Sequence, residues 1–420
     1  MQTIFRTIVL SFVATSVFAQ QPTLSGSPAQ PTSQSATSLS VQAIARTREI
    51  VAGNPKDAGA YAALGAALCH QADETSNSLL YSDADEALNK ALEISPDNFE
   101  AKKAKVCVEL GRHEFTRARE QAMILNKRIP DDIMVYGLLV DANSALGNYP
   151  EAEDAAQWML RLRPGNTPAF LHAADLREVF GEQQGALQLL KLVLDASSPA
   201  DAYGRAVLLT RMARINLEIG ELASAQELID AALVLQPNDP RSLLVMAQLR
   251  LQQGRPAEAV QLLRRSYKTL PRSQTLYALA EAMETAKMPE EARTTFAEFE
   301  RRAVAESSLP DNANRELIFY YADHADRAAK ALQTGEQEIA RRQDVHTLDA
   351  YAWALYKNGR YPEAKKQMDT ILKVGTREAS IFRHAGEIEL KLGNTTRAEG
   401  YFRAATELTS GESRSAQLAM

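Results

Sequence analysis

Hydrophobic positions along this chain fall in short runs of helical period, broken at regular intervals by Gly and Pro. Leu187, Leu190, Val193 and Leu194 show the spacing, with apolar residues three and four apart on one helix face. The stretch Ile133–Asn166, IMVYGLLVDANSALGNYPEAEDAAQWMLRLRPGN, contains the whole pattern. It predicts a helix from about Met134 to Leu146, a break at Gly147-Asn148, and a second helix from about Pro150 to Leu162. Gly tolerates the left-handed conformation that ends a helix. Pro150 opens the second helix, where its missing N–H has no partner to lose. Pro164 stops it, because Pro cannot continue a helix. Small residues (Ala152, Ala156) and bulkier ones (Tyr136, Leu139) are placed so that the two helices approach closely.

The unit recurs. Pro96, Pro130 and Pro164 are 34 residues apart, as are Pro237 and Pro271. Gly147, Gly181, Gly220, Gly254, Gly359 and Gly393 each precede an Ala by five residues: Ala152, Ala186, Ala225, Ala259, Ala364 and Ala398. This pattern resembles the tetratricopeptide repeat over nearly all of the chain after residue 41, and Val345–Ala364 is similar to bacterial exported members of that family. The resemblance implies an all-α chain, an α-solenoid wound as a right-handed superhelix of stacked helix-turn-helix repeats. About ten repeats are expected over residues 58–410. The first is seven residues too long, with the excess placed near the turn at Asp73–Leu79. Asp201–Arg205 is expected to extend the next helix backwards. The seventh repeat lacks its closing Pro, so its second helix is expected to overrun, and the eighth, about Pro310–Asp344, is the most degenerate.

The ends read differently. Met1–Ala19 has Arg6, an apolar run and a small-x-small exit, the pattern of a signal peptide cleaved after Ala19. Gln20–Ser40 is rich in Ser, Thr, Gln and Pro and reads as a disordered linker. Residues 41–57 carry a capping helix, and 411–420 form a flexible tail. These features place the protein outside the cytoplasm, in the periplasm or cell envelope, touching membrane only through an uncleaved signal sequence.

Composition narrows the chemistry. The formal charge of −6 gives no reason to expect nucleic-acid binding. No phosphate-binding loop, zinc-protease or nucleophile-elbow motif is present, so no enzyme activity, cofactor or metal is expected. Cys69 and Cys107 lie near the ends of first helices in adjacent repeats, and are either a disulfide or two small buried residues. In the resembled family the first helices line a concave face that binds peptides or helices. Carried onto this chain, that face has an acidic part with Asp141 and Asp175, and a basic centre with Arg211, Arg214, Arg241 and Gln248. An aromatic and mixed part follows, with Asp349, Trp353, Tyr356, Arg383 and Glu387. The basic centre is expected to take a carboxylate through bidentate Arg contacts, and the exposed aromatics to anchor a partner. The Lys/Asn clamp for chaperone C-termini is missing, since Gly137 and Thr210 stand in its place. The expected function is a non-enzymatic scaffold for protein or peptide partners. The alternative is a subunit of an envelope machine that exports or assembles polysaccharide, pili or protein.

Overall fold

The structure is a computed structural model and describes residues 39–75, 77–310 and 312–410. The expected signal peptide, nearly all of the linker and the tail lie outside the described residues. A leading helix, α1 (Leu39–Gly53), precedes α2 (Ala58–Thr75) and α3 (Leu80–Ile94), α4 (Phe99–Gly111) and α5 (Phe115–Arg128), and α6 (Ile133–Ala145) and α7 (Tyr149–Leu162). Next come α8 (Thr167–Val179) and α9 (Gln183–Ala196), α10 (Ala202–Glu218) and α11 (Leu222–Leu235), and α12 (Pro240–Gln252) and α13 (Pro256–Thr269). The last pairs are α14 (Ser273–Thr285) and α15 (Pro289–Glu306), α16 (Asn314–Phe319) and α17 (Ala328–Ile339), α18 (Val345–Lys357) and α19 (Tyr361–Val374), and α20 (Ala379–Lys391) and α21 (Thr395–Ser410). Among the described residues the chain is therefore all-α, an α-solenoid of antiparallel hairpins. No helix among them is long and apolar enough to cross a membrane.

Local chemistry explains most helix ends. Asp57, Asn98, Asp132, Asn166, Asp201, Asp239 and Asp344 each accept a hydrogen bond from the N–H three residues on, capping α2, α4, α6, α8, α10, α12 and α18. At the turns the six recurrent glycines all have positive φ, between 71° and 81°. His113, Lys287 and Asp326 fill equivalent turns with φ of 50–59°, so a side chain there accepts the left-handed conformation at some cost. The long first repeat spends its extra residues on an 18-residue α2. Residues 202–205 extend α10 to 17 residues, and α15, with no Pro to stop it, runs for 18. The degenerate eighth hairpin breaks its first helix into α16 and a π-helical turn at Tyr320–His324.

Each hairpin buries one alanine at the helix contact: Ala84, Ala118, Ala152, Ala186, Ala225, Ala259, Ala292, Ala331, Ala364 and Ala398, all 0–1% exposed. Larger side chains such as Leu88, Met159, Leu190, Ile229, Leu263, Phe299 and Ile371 fill the space alongside and are also fully buried. Cys69 of α2 and Cys107 of α4 are joined as a disulfide across the first two hairpins, with Cα atoms 6.7 Å apart.

The chain also returns upon itself. The backbone N–H of Gln343 donates to the Ala145 carbonyl at 2.8 Å, and the N–H of Val345 to the Tyr149 hydroxyl at 3.0 Å. One repeat further on, the Thr376 hydroxyl donates to the Val179 carbonyl at 2.8 Å. The side-chain N–H of Gln183 reaches the Arg377 carbonyl at 3.4 Å. Tyr149 and Phe180 meet edge to face at this seam, and one apolar cluster draws Val140, Tyr149 and Leu176 together with Val345, Leu348 and Ile381. Turns of the third and fourth hairpins thus rest on the loops either side of the ninth. The fit is close, because a Cβ on Gly181 would lie 2.5 Å from the Gly375 carbonyl oxygen.

Two comparisons test this packing by thermal or denaturant unfolding. Gly393 shares the positive φ of Gly181 but has nothing near its missing Cβ. Gly393→Ala should then cost roughly 1 kcal/mol from backbone strain alone. Gly181→Ala should cost about 1–3 kcal/mol more, because it collides with backbone from the other side of the seam. Equal losses would mean that the seam does not form. Ala225→Leu or Ala259→Leu should destabilise by about 1–3 kcal/mol, whereas Glu258→Gln on the surface should stay near zero.

Candidate functional site

The first helices of the hairpins carry two inward cavities. One, of about 550 Å³, is walled by His70 and Asp73 of α2, Cys107 of α4, Gly137 and Asp141 of α6, and His172 of α8. The other, of about 720 Å³, is walled by α10, α12, α14, α16 and α18 and by the start of α20. The second cavity collects four of the residues expected on the concave face: Arg214, Arg241, Gln248 and Asp349.

The basic centre is not open for a ligand carboxylate, because the chain supplies its own counter-charges. Arg211 donates from Nε to Glu178 Oε1 at 2.7 Å and also pairs with Asp175. Arg214 bridges Glu178 and Glu218. Arg241 turns to the end of α2, donating to the carbonyls of Asp73 and Glu74 at 3.2 and 2.8 Å. A cation at a helix C-terminus meets the negative end of its dipole, so Arg241 serves as a tie between distant hairpins. Gln248 remains exposed on the cavity wall.

The acidic and aromatic parts separate in space. Asp141 lies in the other cavity, 3.3 Å from His172 Nδ1. Asp349 is buried and its Oδ1 lies 2.8 Å from His384 Nδ1. Trp353 is half-buried, stacked on His384 at 4.3 Å and Tyr356 at 4.7 Å, with Lys357 over its ring. Its indole N–H donates to Asp323 at 2.9 Å. Tyr356 donates to Glu387 at 3.1 Å, and Arg383 is exposed. The aromatics expected to project toward a partner are stacked into the wall of the groove, because neighbouring first helices put His384 against them.

Sequence reading missed the carboxyls that give the second cavity its character. Glu378 stands at the N-cap of α20, where most hairpins have Asn or Asp, and makes no side-chain cap. Its carboxyl lies 3.6 Å from His346 Nε2. Burial, then the neighbouring carboxylates of Glu218 and Asp349, push it up to about 8. Glu281 keeps about half of its side chain open to the cavity, yet the packed walls around it push it up to about 7. Burial and then Arg315 hold the His346 imidazole below its usual range. Arg272 occupies the uncapped N-cap of α14 and lines the same cavity. The signal in the sequence was the breach of the Asx capping rule at 272 and 378.

The cavity therefore mixes guanidinium groups with two carboxyls, Glu281 and Glu378, raised above the ordinary carboxylate range.

The tetratricopeptide repeat family model matches residues 210–274 and 350–413. No curated protein matches the chain. Among solved structures, the human IFIT1 dimer with PPP-AAAA is 13% identical, with 88% of this chain and 87% of that chain covered and a TM-score of 0.50. The APC/C hetero-tetramer Cut9-Hcn1 is 14% identical at a TM-score of 0.44, over 77% of this chain. The match spans only 55% of that chain's length. PilW, a type IV pilus biogenesis factor, is 10% identical at a TM-score of 0.43, over 49% of this chain and 93% of that one. The likeness to IFIT1 is one of fold. Residues 210–274 and 350–413 carry tetratricopeptide repeats.

The proton held by Glu378 makes stability depend on pH. Its folded value lies above the ordinary 4.5, so the folded chain binds a proton that the unfolded chain has released between about pH 4.5 and about pH 8. Stability from this group is complete below that window and is lost as pH rises through it. Glu378→Gln should match the parent near pH 4 and exceed it by about 1–2 kcal/mol at pH 9, a discounted figure because 26% of the side chain meets solvent. Melting curves at both pH values check this, and a pH-independent gap would rule the linkage out.

Proposed function

We propose that this tetratricopeptide-repeat chain is a non-enzymatic scaffold that holds a peptide segment of a protein partner against the cavity walled by α10, α12, α14, α16 and α18. The observation that carries the reading is the composition of that wall. Groups of both signs, Arg214, Arg315, Glu218 and Glu281, surround an exposed amide, Gln248, and a ring, Tyr277. Such a lining suits a polypeptide, which offers alternating backbone donors and acceptors with side chains of either sign. It suits a polyanion poorly, because Glu178 and Glu218 already occupy the arginines that would meet the phosphates, so nucleic acid is not the expected partner.

The place of action we infer is the periplasm or cell envelope, with the protein exported through its first 19 residues. The Cys69–Cys107 disulfide supports that reading, since such bonds persist in oxidising compartments.

A photo-crosslinking residue at Gln248 should capture a defined partner in intact envelopes, whereas one at Lys191, exposed on the second helix α9, should not. Equal capture from both positions, or none from Gln248, removes the groove from the account. A single stoichiometric assembly would mark a dedicated subunit of an export or assembly machine. Several partners would mark a general scaffold.

A further inference from the structure

Cys69 and Asp73 are four residues apart on α2 and so share one face of that helix. Cys107 reaches them from α4. The two sulfurs and a carboxylate oxygen of Asp73 all lie within 4.8 Å of one another. Cys69 is fully buried, while Asp73 and Cys107 border the 550 Å³ cavity. Asp73 is oriented by the Tyr81 hydroxyl, which donates to its Oδ1 at 2.5 Å. Two sulfurs and one carboxylate on packed helices, with a cavity on the remaining side, is the donor set of a zinc site with one open position.

We propose that reduction of the Cys69–Cys107 bond converts this staple into a binding site for a zinc-class divalent cation, held by both sulfurs and the Asp73 carboxylate, with a water from the cavity as fourth ligand. A dithiol reductant supplies two electrons and two protons. Its sulfurs pair as a disulfide while the Cys69–Cys107 bond opens to two thiols. The arriving cation displaces both thiol protons to solvent and binds the thiolates. Bound sulfurs must stand roughly 3.8 Å apart for Zn–S bonds of about 2.3 Å. The Cα separation of 6.7 Å lets side-chain rotation supply that without moving the helices. The carboxylate at position 73 separates this site from an ordinary structural disulfide, which has no use for a third donor.

The test uses the full chain, reduced with a thiol-free phosphine under anaerobic conditions. Zinc is titrated against a chromophoric chelator, and helical content is followed by circular dichroism. Reduced wild-type protein should take up one equivalent of zinc, and oxidised protein should compete at least about 100-fold less well. Asp73→Asn, which keeps both cysteines, should lose at least about tenfold in affinity when reduced. The proposal is overturned if reduction confers no added affinity, or if Asp73→Asn binds as tightly as wild type. Loss of helix on reduction that zinc does not restore would overturn it as well.

Discussion

The architecture depends on a slot the size of one methyl group. Two helices of a hairpin lie close only where neither presents a long side chain, and each described hairpin meets that condition with at least one fully buried alanine on its second helix. From Ala118 to Ala398 these residues each lie five positions after the left-handed residue of the turn, so one local geometry is repeated from hairpin to hairpin. Repetition of one local contact produces the curvature. Curvature in turn brings first helices from distant parts of the sequence around shared cavities.

The charges inside those cavities follow from the same repetition. First helices stand side by side, so a residue on one faces a residue about one repeat away on the next. Glu178 meets Arg211 and Arg214, Asp349 meets His384, and Tyr356 meets Glu387 in this way. Most of the groove is neutralised between neighbours before any partner arrives. Glu281 and Glu378 differ, since burial first, and neighbouring carboxylates after it, raise both above the ordinary carboxylate range.

Much of this was legible in the sequence because its cause is periodic. The glycine turns, the alanines and the closing prolines all recur with the 34-residue unit, and all encode contacts within a hairpin or between adjacent ones. His113, Lys287 and Asp326 were not legible as turns because a non-Gly residue adopts the left-handed conformation only uncommonly, although Asp and His do so more readily than most. The π-helical turn at Tyr320–His324 is a compromise between packed neighbours. Of the expected groove residues, Arg214, Arg241, Gln248 and Asp349 line the second cavity, while charges were visible singly in the sequence and their pairing was not. Arg211 and Arg214 looked like a hook for a carboxylate until Glu178 was seen between them. The seam between Ala145–Gln183 and Gln343–Arg377 had no signal at all, because it joins loops nearly two hundred residues apart through backbone groups that any sequence possesses.

That seam changes how the array can come apart. An open string of repeats unravels from its ends, each unit released as soon as its one neighbour lets go. Here the third to ninth hairpins are bounded by a clasp with two catches one repeat apart, so an inner hairpin cannot loosen without straining both. The first, second and tenth hairpins lie outside the clasp, but the first is bonded to the second through Cys69–Cys107 and tied to the sixth through Arg241. The described repeats thus form a closed hoop from the third hairpin to the ninth, with the outer hairpins fastened to it by side chains instead of by backbone.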